Sequence, residues 1–395
     1  MNTDKGKPKG VCLLVTNIDA PSGGIQKNSR LLLRELHKRG IATYACVRNY
    51  HGLPRNEVVE GTLFHRSPVL GASIALNGIL YLVDVLIWLI RNRSKYDVIH
   101  CQQMFGPTMA AAVASYVVDK PILTRVTTVG ELGEVKQIRE MPLSALRMRL
   151  IRRVTGWAAL TRAMKEELVS LGIADEEVRI IYNSTEIAPE VSYSAETKAR
   201  LRRELNLGDA PIAVYVGRLS EEKNLDVLVR SWSEVIARFP TAQLLLLGEG
   251  GAYRNVEPAL RTLVAELGLG ASVHLLGHVA NAKDYVIAAD LFVLPSRTEG
   301  MSNALVEALS CGTAIVATDI PANAEICTHG EDALLVPVGD GRELAAAICE
   351  LFSSASLATR LGTAARRKAE ESLSVERMVG AYLEAYADIL GRCGK

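Results

Sequence analysis

Apolar, β-rich runs alternate along the whole chain with segments whose apolar residues recur every three or four positions. The runs GVCLLVT, IATYACV, DVIHC, PILTRV, GWAAL and VRIIY occupy the first half, and PIAVYVG, AQLLLLG, SVHLLG, DLFVLPS, TAIVAT and ALLVPV the second. Strands this apolar, separated by helical periods, predict parallel sheets covered by helices. Between the two sets, NSTEIAPEVSYSAETKARLRRELNLGDA is polar, carries Pro189 and shows no strand pattern until Pro211, so it reads as a crossover linker. The expectation is two doubly wound α/β domains in tandem, 1–185 and 186–373, with a helical tail, 374–395, packing back onto the first. Sheets of this kind bind ligands at the carboxyl ends of their strands, and a cleft between the domains is the natural place for a site.

Composition adds limits. With 395 residues, 49% of them hydrophobic, the chain can bury a full core. Its seven cysteines form no Cys-x-x-Cys pair and several lie in strand-like runs, which reads as reduced, mostly buried thiols in a cytosolic protein. The start, MNTDKGKPKG, lacks the apolar stretch of a signal peptide and argues against secretion. The segment 69–90, VLGASIALNGILYLVDVLIWLI, is about long enough to span a bilayer, but Asn77 and Asp84 interrupt it, so a buried or surface-lying helix is expected.

Charge is unevenly placed. Residues 1–190 hold 25 Lys+Arg against 18 Asp+Glu, or +7, and the remainder 20 against 26, or −6. The densest basic stretch, 141–165, contains Arg147, Arg149, Arg152, Arg153, Arg162 and Lys165 and no acid. Such a stretch can lie on an anionic membrane surface, face an anionic substrate, or be a solvated helix face.

Several chemistries lack their motifs: there is no Gly-x-x-x-x-Gly-Lys-Ser/Thr loop, no Gly-x-Ser-x-Gly elbow and no complete Gly-x-Gly-x-x-Gly fingerprint. No Asp-x-Asp pair offers to hold a metal on a diphosphate, and His274 and His278 read as structural. Candidate chemistry gathers instead at strand ends. Gly23 and Gly24 follow the first strand and open an amphipathic helix, where a backbone can approach an anion closely. Arg218 and Lys223, in VGRLSEEKN, put cations where a helix start prefers acids, which suits either an anionic ligand or a pairing with Glu221 and Glu222. After DLFVLPS, Glu299 lies in a loop, Gly300, Met301, Ser302 and Asn303 can present helix-start amides, and Glu307 falls in the second turn of the helix. Carboxylates accept hydrogen bonds from sugar hydroxyls, so a polyol diphosphate is the expected ligand.

Taken together, VGRLSEEKN, LLLGEG, the block PSRTEGMSNALVEALSCGTAIVAT and ALLVPVGD resemble the retaining glycosyltransferases of the two-Rossmann-domain (GT-B) type, specifically family 4 with its Glu-x7-Glu motif. The resemblance implies a UDP- or GDP-sugar bound mainly by the second domain and a glycan or lipid-linked acceptor by the first, with no metal, no other cofactor and no nucleic-acid partner. It implies that Arg218 and Lys223 hold the diphosphate, that Glu299 and the backbone of Gly300 to Asn303 meet the donor sugar, and that Glu307 meets the ribose. Gly24 would approach the phosphates, and Val279, in the segment GHV, would lie by the nucleobase. Retention would follow front-face attack, the leaving phosphate taking the acceptor proton. The basic first domain motivates an expected place in the cytoplasm, peripheral at the inner face of the membrane.

The first domain departs from the family pattern. TTVGELGEV stands where relatives carry Thr-x-His-Gly, which removes the usual acceptor-side histidine. His100, ending YDVIH, matches another common family histidine and is either an acceptor-side catalytic group or a satisfied strand-end residue; Glu131 and Glu134 are candidate acceptor contacts. YNSTEI replaces the usual Asn-Gly-Val-Asp and makes a glycosylation sequon at Asn183 that a cytosolic protein would not use. Rival readings are a sugar-nucleotide epimerase or hydrolase on the same plan, and a non-catalytic sugar-nucleotide-binding partner.

Overall fold

A computed structural model describes residues 7–19, 23–71, 73–128, 130, 133–188, 194–251 and 254–393. The chain divides into two compact units, Met1–Asn183 with Val375–Lys395, and Ser184–Ser374.

The first unit runs β1 (Gly10–Leu14), α1 (Gly24–Lys38), β2 (Ala42–Arg48), β3 (Asn56–Val59), β4 (Thr62–Ser67), α2 (Ile74–Arg91), β5 (Val98–Cys101) and α3 (Gly106–Ala114). It continues with β6 (Ile122–Arg125), α4 (Glu134–Glu140), α5 (Ser144–Ile151), β7 (Gly156–Ala159), α6 (Arg162–Ser170) and β8 (Val178–Ile180). Its sheet has the order β3-β4-β2-β1-β5-β6-β7-β8. All neighbours are parallel except β3 and β4, an antiparallel hairpin that the apolar-run pattern does not predict. The hairpin closes on Glu60 and Gly61, both at positive φ (48° and 79°), a local turn geometry that glycine favours.

The second unit runs α7 (Ala195–Glu204), β9 (Ile212–Val216), α8 (Leu225–Arg238), β10 (Gln243–Leu247), α9 (Glu257–Glu266), β11 (Val273–Gly277), α10 (Ala282–Ala288) and β12 (Leu291–Leu294). Then come α11 (Asn303–Cys311), β13 (Ala314–Thr318), α12 (Pro321–Ala324), β14 (Leu334–Val336), α13 (Gly341–Ser353) and α14 (Ala355–Ser372). The six strands are those the apolar runs predict, in the parallel order β11-β10-β9-β12-β13-β14. The linker departs from its reading, since α7 forms inside it, capped by Ser194 on the Thr197 amide. The order reverses beside β9: the chain goes outward through β10 and β11, then returns to place β12 on the other side. That switch point leaves the loops after β9 and β12 side by side at the carboxyl ends of their strands.

The last helix, α15 (Val375–Cys393), belongs to the first unit. Val375, Met378, Val379, Tyr382, Tyr386 and Ile389 recur at helical spacing and join Val11, Leu32, Val98, Leu123 and Ala158 in one buried cluster. The fit is close at Gly156, where a β-carbon would stand 2.6 Å from Ile389 Cγ2. Arg179 adds an ion pair from its Nε to Asp388 at 2.8 Å.

Because Ile389 is 2% exposed in that cluster, Ile389→Ala should lower the unfolding free energy of the first unit by roughly 2–5 kcal/mol. Urea unfolding followed at Trp157, beside this core, should report the loss, whereas Glu384→Ala on the exposed side of α15 should cost less than about 1 kcal/mol.

Candidate functional site

Three strand ends of the second unit are drawn together past the sheet. The Gly217 amide donates to Leu247 O at 2.9 Å, the Gly248 amide to Gly277 O at 2.8 Å, and the Leu219 amide to Glu249 O at 3.0 Å. Gly248 has φ of +134°, and a β-carbon on it would sit 1.8 Å from Gly217 O, so only glycine fits between these backbones. The turn after β9 carries Arg218 outward, then a 3₁₀ turn at Glu221–Lys223 ends on Asn224, left-handed at φ 56°, where α8 begins. This brings Lys223 back over the sheet edge toward the loop after β12.

Lys223 Nζ donates to Glu299 Oε1 at 2.6 Å, and both side chains are nearly buried, 12% and 9% exposed. The Ser296 hydroxyl donates to the same oxygen at 2.7 Å. Two further bonds tie the loops: the Arg297 amide donates to Glu222 O at 2.8 Å and Arg297 Nε to Asn224 Oδ1 at 2.8 Å. From β13, the Thr318 hydroxyl donates to Ser296 O at 2.6 Å and fixes the start of the loop. A cation and a carboxylate are thus held with little freedom at the switch point.

Arg218 is mostly exposed and donates to Glu222 Oε1 at 3.1 Å, which also accepts from the Ser220 hydroxyl at 2.7 Å. Burial works to raise the Glu222 carboxyl, but the Ser220 bond, its own amide and the charges of Arg218 and Lys223 together hold it below the ordinary value. The loop after β12 leads through Gly300 and buried Met301 into α11, where Ser302 caps by accepting from the Leu305 amide at 3.3 Å. Asn303 begins that helix and Glu307 lies half-buried in its second turn. Val279 is half-buried just past β11, and the neighbouring His278 amide donates to Glu249 Oε1 at 3.3 Å. His274 Nε2 meets Gln243 Oε1 at 2.5 Å, a structural contact.

The first-unit candidates land differently. Gly24 begins α1, half-buried, and the first turn of that helix contains no acid. His100 is fully buried, with Nδ1 2.7 Å from the Tyr386 hydroxyl and its ring packed on Tyr382. This corrects its acceptor-side assignment, since a ring enclosed by α15 cannot touch an acceptor. Glu134 is 1% exposed and accepts from the Thr127 hydroxyl at 2.7 Å and the Met104 amide at 3.2 Å, so it too is an internal group and not an acceptor contact. Glu131 lies outside the described residues.

Sequence reasoning missed the groups that hold the site rather than form it: Ser296, Asn224, Arg297 and Thr318. Ser296 had a signal, as a hydroxyl three positions before Glu299 in the same turn. It also missed Arg125, 3% exposed, which donates to Gln102 Oε1 at 2.9 Å and to Asn183 Oδ1. That bond occupies the side chain of the Asn183 sequon, which is 3% exposed in the folded chain.

Residues 22–188 match the model of Glycosyltransferase Family 4, and residues 210–354 that of Glycosyl transferases group 1. The chain is 30% identical over 227 residues to LpsE, a lipopolysaccharide core biosynthesis glycosyltransferase of Rhizobium meliloti; the match takes in 58% of this chain and spans 62% of that protein's length. It is 23% identical over 384 residues to the alpha-D-kanosaminyltransferase of Streptomyces kanamyceticus, covering 90% of this chain and 98% of the relative. Among solved structures, Anabaena HepE in complex with UDP superposes with a TM-score of 0.78 at 18% identity, covering 96% of this chain and 100% of that one. The two units are those of the GT-B fold, and the chain belongs to the family 4, group 1 glycosyltransferases.

Titration should expose the internal roles of His100 and Glu134. Burial, with the Arg125 charge, lowers His100 from 6.5 to about 3, so its contribution to stability is full above pH 6.5 and is lost as pH falls toward 3. Burial raises Glu134 from 4.5 to about 7, so its contribution is full below pH 4.5 and is lost as pH rises through 7. Urea melts of Glu134→Gln should therefore gain on the parent chain between about pH 5 and pH 8, and a constant difference would contradict a buried, neutral-leaning carboxyl.

Proposed function

We propose that the chain transfers a sugar from a UDP- or GDP-sugar to a hydroxyl of a glycan or lipid-linked saccharide, with retention at the anomeric carbon, in cell-surface polysaccharide or glycolipid synthesis on the cytoplasmic side of the membrane. The observation that carries this reading is the Lys223–Glu299 pair at the switch point, one charge on each of two neighbouring strand ends. UDP is the favoured nucleotide, because HepE, of the same fold, was solved with UDP and with UDP-glucose. The lipopolysaccharide role of LpsE supports a saccharide acceptor.

In this reading Arg218 and Lys223 face the diphosphate, and the backbone of Gly300 to Asn303 adds helix-start dipoles. As the bond from anomeric carbon to phosphate oxygen breaks, negative charge grows on that oxygen, and fixed cations aimed there lower the barrier. The acceptor oxygen forms the new bond on the same face and its proton passes to the leaving phosphate. Glu299 is not the base: held by Lys223 and Ser296, it keeps its remaining lone pairs for donor-sugar hydroxyls. Glu307 meets the ribose and the backbone at Val279 the nucleobase. No metal enters the scheme.

Lys223→Ala should lower kcat/KM by about 10²–10³-fold, the usual effect of removing one oriented group that meets developing charge. Glu299→Gln, which keeps the shape but releases Lys223, should lower transfer comparably and weaken the thermal shift given by UDP-sugar. EDTA should leave the rate unchanged, and donor without acceptor should show only slow hydrolysis. Full transfer by both variants would refute the site.

A further inference from the structure

The first unit has a switch point of its own. From β1 the chain goes outward through β2 to the β3–β4 hairpin, then returns to place β5 on the other side of β1. The loops after β1, β2 and β5 therefore gather at the carboxyl ends of neighbouring strands, where sheets of this kind bind ligands. Two bonds tie them together. The Thr16 hydroxyl, after β1, donates to Gln103 Oε1, after β5, at 2.9 Å, and the Arg48 amide, at the end of β2, donates to Thr16 O at 3.1 Å.

Arg48 puts a positive charge at this edge. Its guanidinium carbon lies 5.1 Å from the centre of the Tyr81 ring, which is buried, with its hydroxyl on Cys46 O at 3.5 Å. α3 starts against the same group: a β-carbon on Gly106 would stand 3.7 Å from Arg48 Nη2. Arg48 Nη1 donates to the Tyr50 hydroxyl at 3.2 Å. Tyr50 stands on a short loop that Asn49 closes, its Nδ2 donating to Leu53 O at 2.6 Å and its Oδ1 accepting from the Leu53 amide at 2.9 Å. The guanidinium is thus held in place, with the Tyr50 ring 46% exposed beside it.

It is held there without a counter-charge. Among the described residues no carboxylate pairs with Arg48, and Tyr50 is the one hydrogen-bond partner of its side chain; Nε is enclosed and has none. The acids of neighbouring elements are committed elsewhere. Asp19 and Glu57 pair with Arg66, and Asp84 accepts from Arg55, His65 and the Ser67 hydroxyl. The first turn of α3 contains no acid. A fixed guanidinium at a ligand-binding edge, with most of its donors unused, suits an oxyanion, which its planar fork binds through two parallel bonds.

We infer that Arg48 is where this unit recognises an anionic acceptor: a saccharide carrying a carboxylate or a phosphate monoester, whose sugar face meets the Tyr50 ring. Calling that saccharide the acceptor rests on the transfer reading. The binding site itself rests on the first unit alone. Arg48 is then a specificity-determining residue that selects which hydroxyl-bearing sugar enters, away from the bonds that break and form.

Isothermal titration of the full chain with glucuronate, glucose 6-phosphate and glucose tests it, each with UDP in excess so that a phosphate site for the donor is filled. At least one charged sugar should bind about tenfold or more tightly than glucose, and the stronger of the two names the oxyanion. Arg48→Gln should remove that advantage while melting near the parent temperature, and Arg48→Lys, which keeps the charge but loses the fork, should restore part of it. The advantage should persist in Lys223→Ala, which separates this site from the donor site. Equal affinity for the three sugars, or an advantage unchanged in Arg48→Gln, overturns the inference. Charged sugars that bind through Arg48 but accept nothing from a UDP- or GDP-sugar would instead uphold the site and count against the transfer reading.

Discussion

A lysine and a glutamate that are both nearly shielded from water must neutralise each other, and this constraint organises the second unit's site. Such a pair contributes little net stability, because desolvating two charges offsets most of their attraction. Removing one partner, however, leaves the other charged and enclosed. The structure therefore gains geometry from the Lys223–Glu299 pair more than it gains free energy. The 3₁₀ turn after β9 and the loop after β12 hold one position relative to each other, and the Arg297 bonds to Glu222 and Asn224 repeat that instruction. The surface that we propose faces the donor is held in place by these bonds alone.

The first unit solves a similar problem with other groups. Arg66, 3% exposed, pairs with Asp19 and Glu57, joining the loop after β1 to the β3–β4 hairpin. Arg125 does the same at the ends of β5 and β6 through Gln102 and Asn183. In both units buried guanidinium or ammonium groups anchor the chain where the strands end, because loops there have few apolar contacts to hold them.

The parallel strands of the second unit were readable in sequence because each is a short apolar run with both faces covered. The motif around Glu299 was readable because its spacing spans a loop, a cap and one helical turn. The β3–β4 hairpin was not, since Asn56–Val59 is an edge strand with little burial and no apolar run. Nor was α7, whose charged sequence depends on capping more than on a wide apolar face. His100 and Glu134 show a different limit. Their positions beside strand ends match those of ligand-contacting residues, but the direction of each side chain is decided by partners distant in sequence, Tyr386 for one and Met104 for the other.

The assignment of α15 to the first unit also sets an order of events during synthesis. A ribosome delivers the chain from its amino terminus, and tandem domains ordinarily complete themselves in that order. Here Val11, Val98 and Leu123 wait for Tyr382, Tyr386 and Ile389, which emerge only after the whole second unit. The second unit, contiguous in sequence, can finish before the first. Until α15 arrives, the nascent first unit exposes the strip of core that this helix will cover, an apolar surface open to wrong contacts.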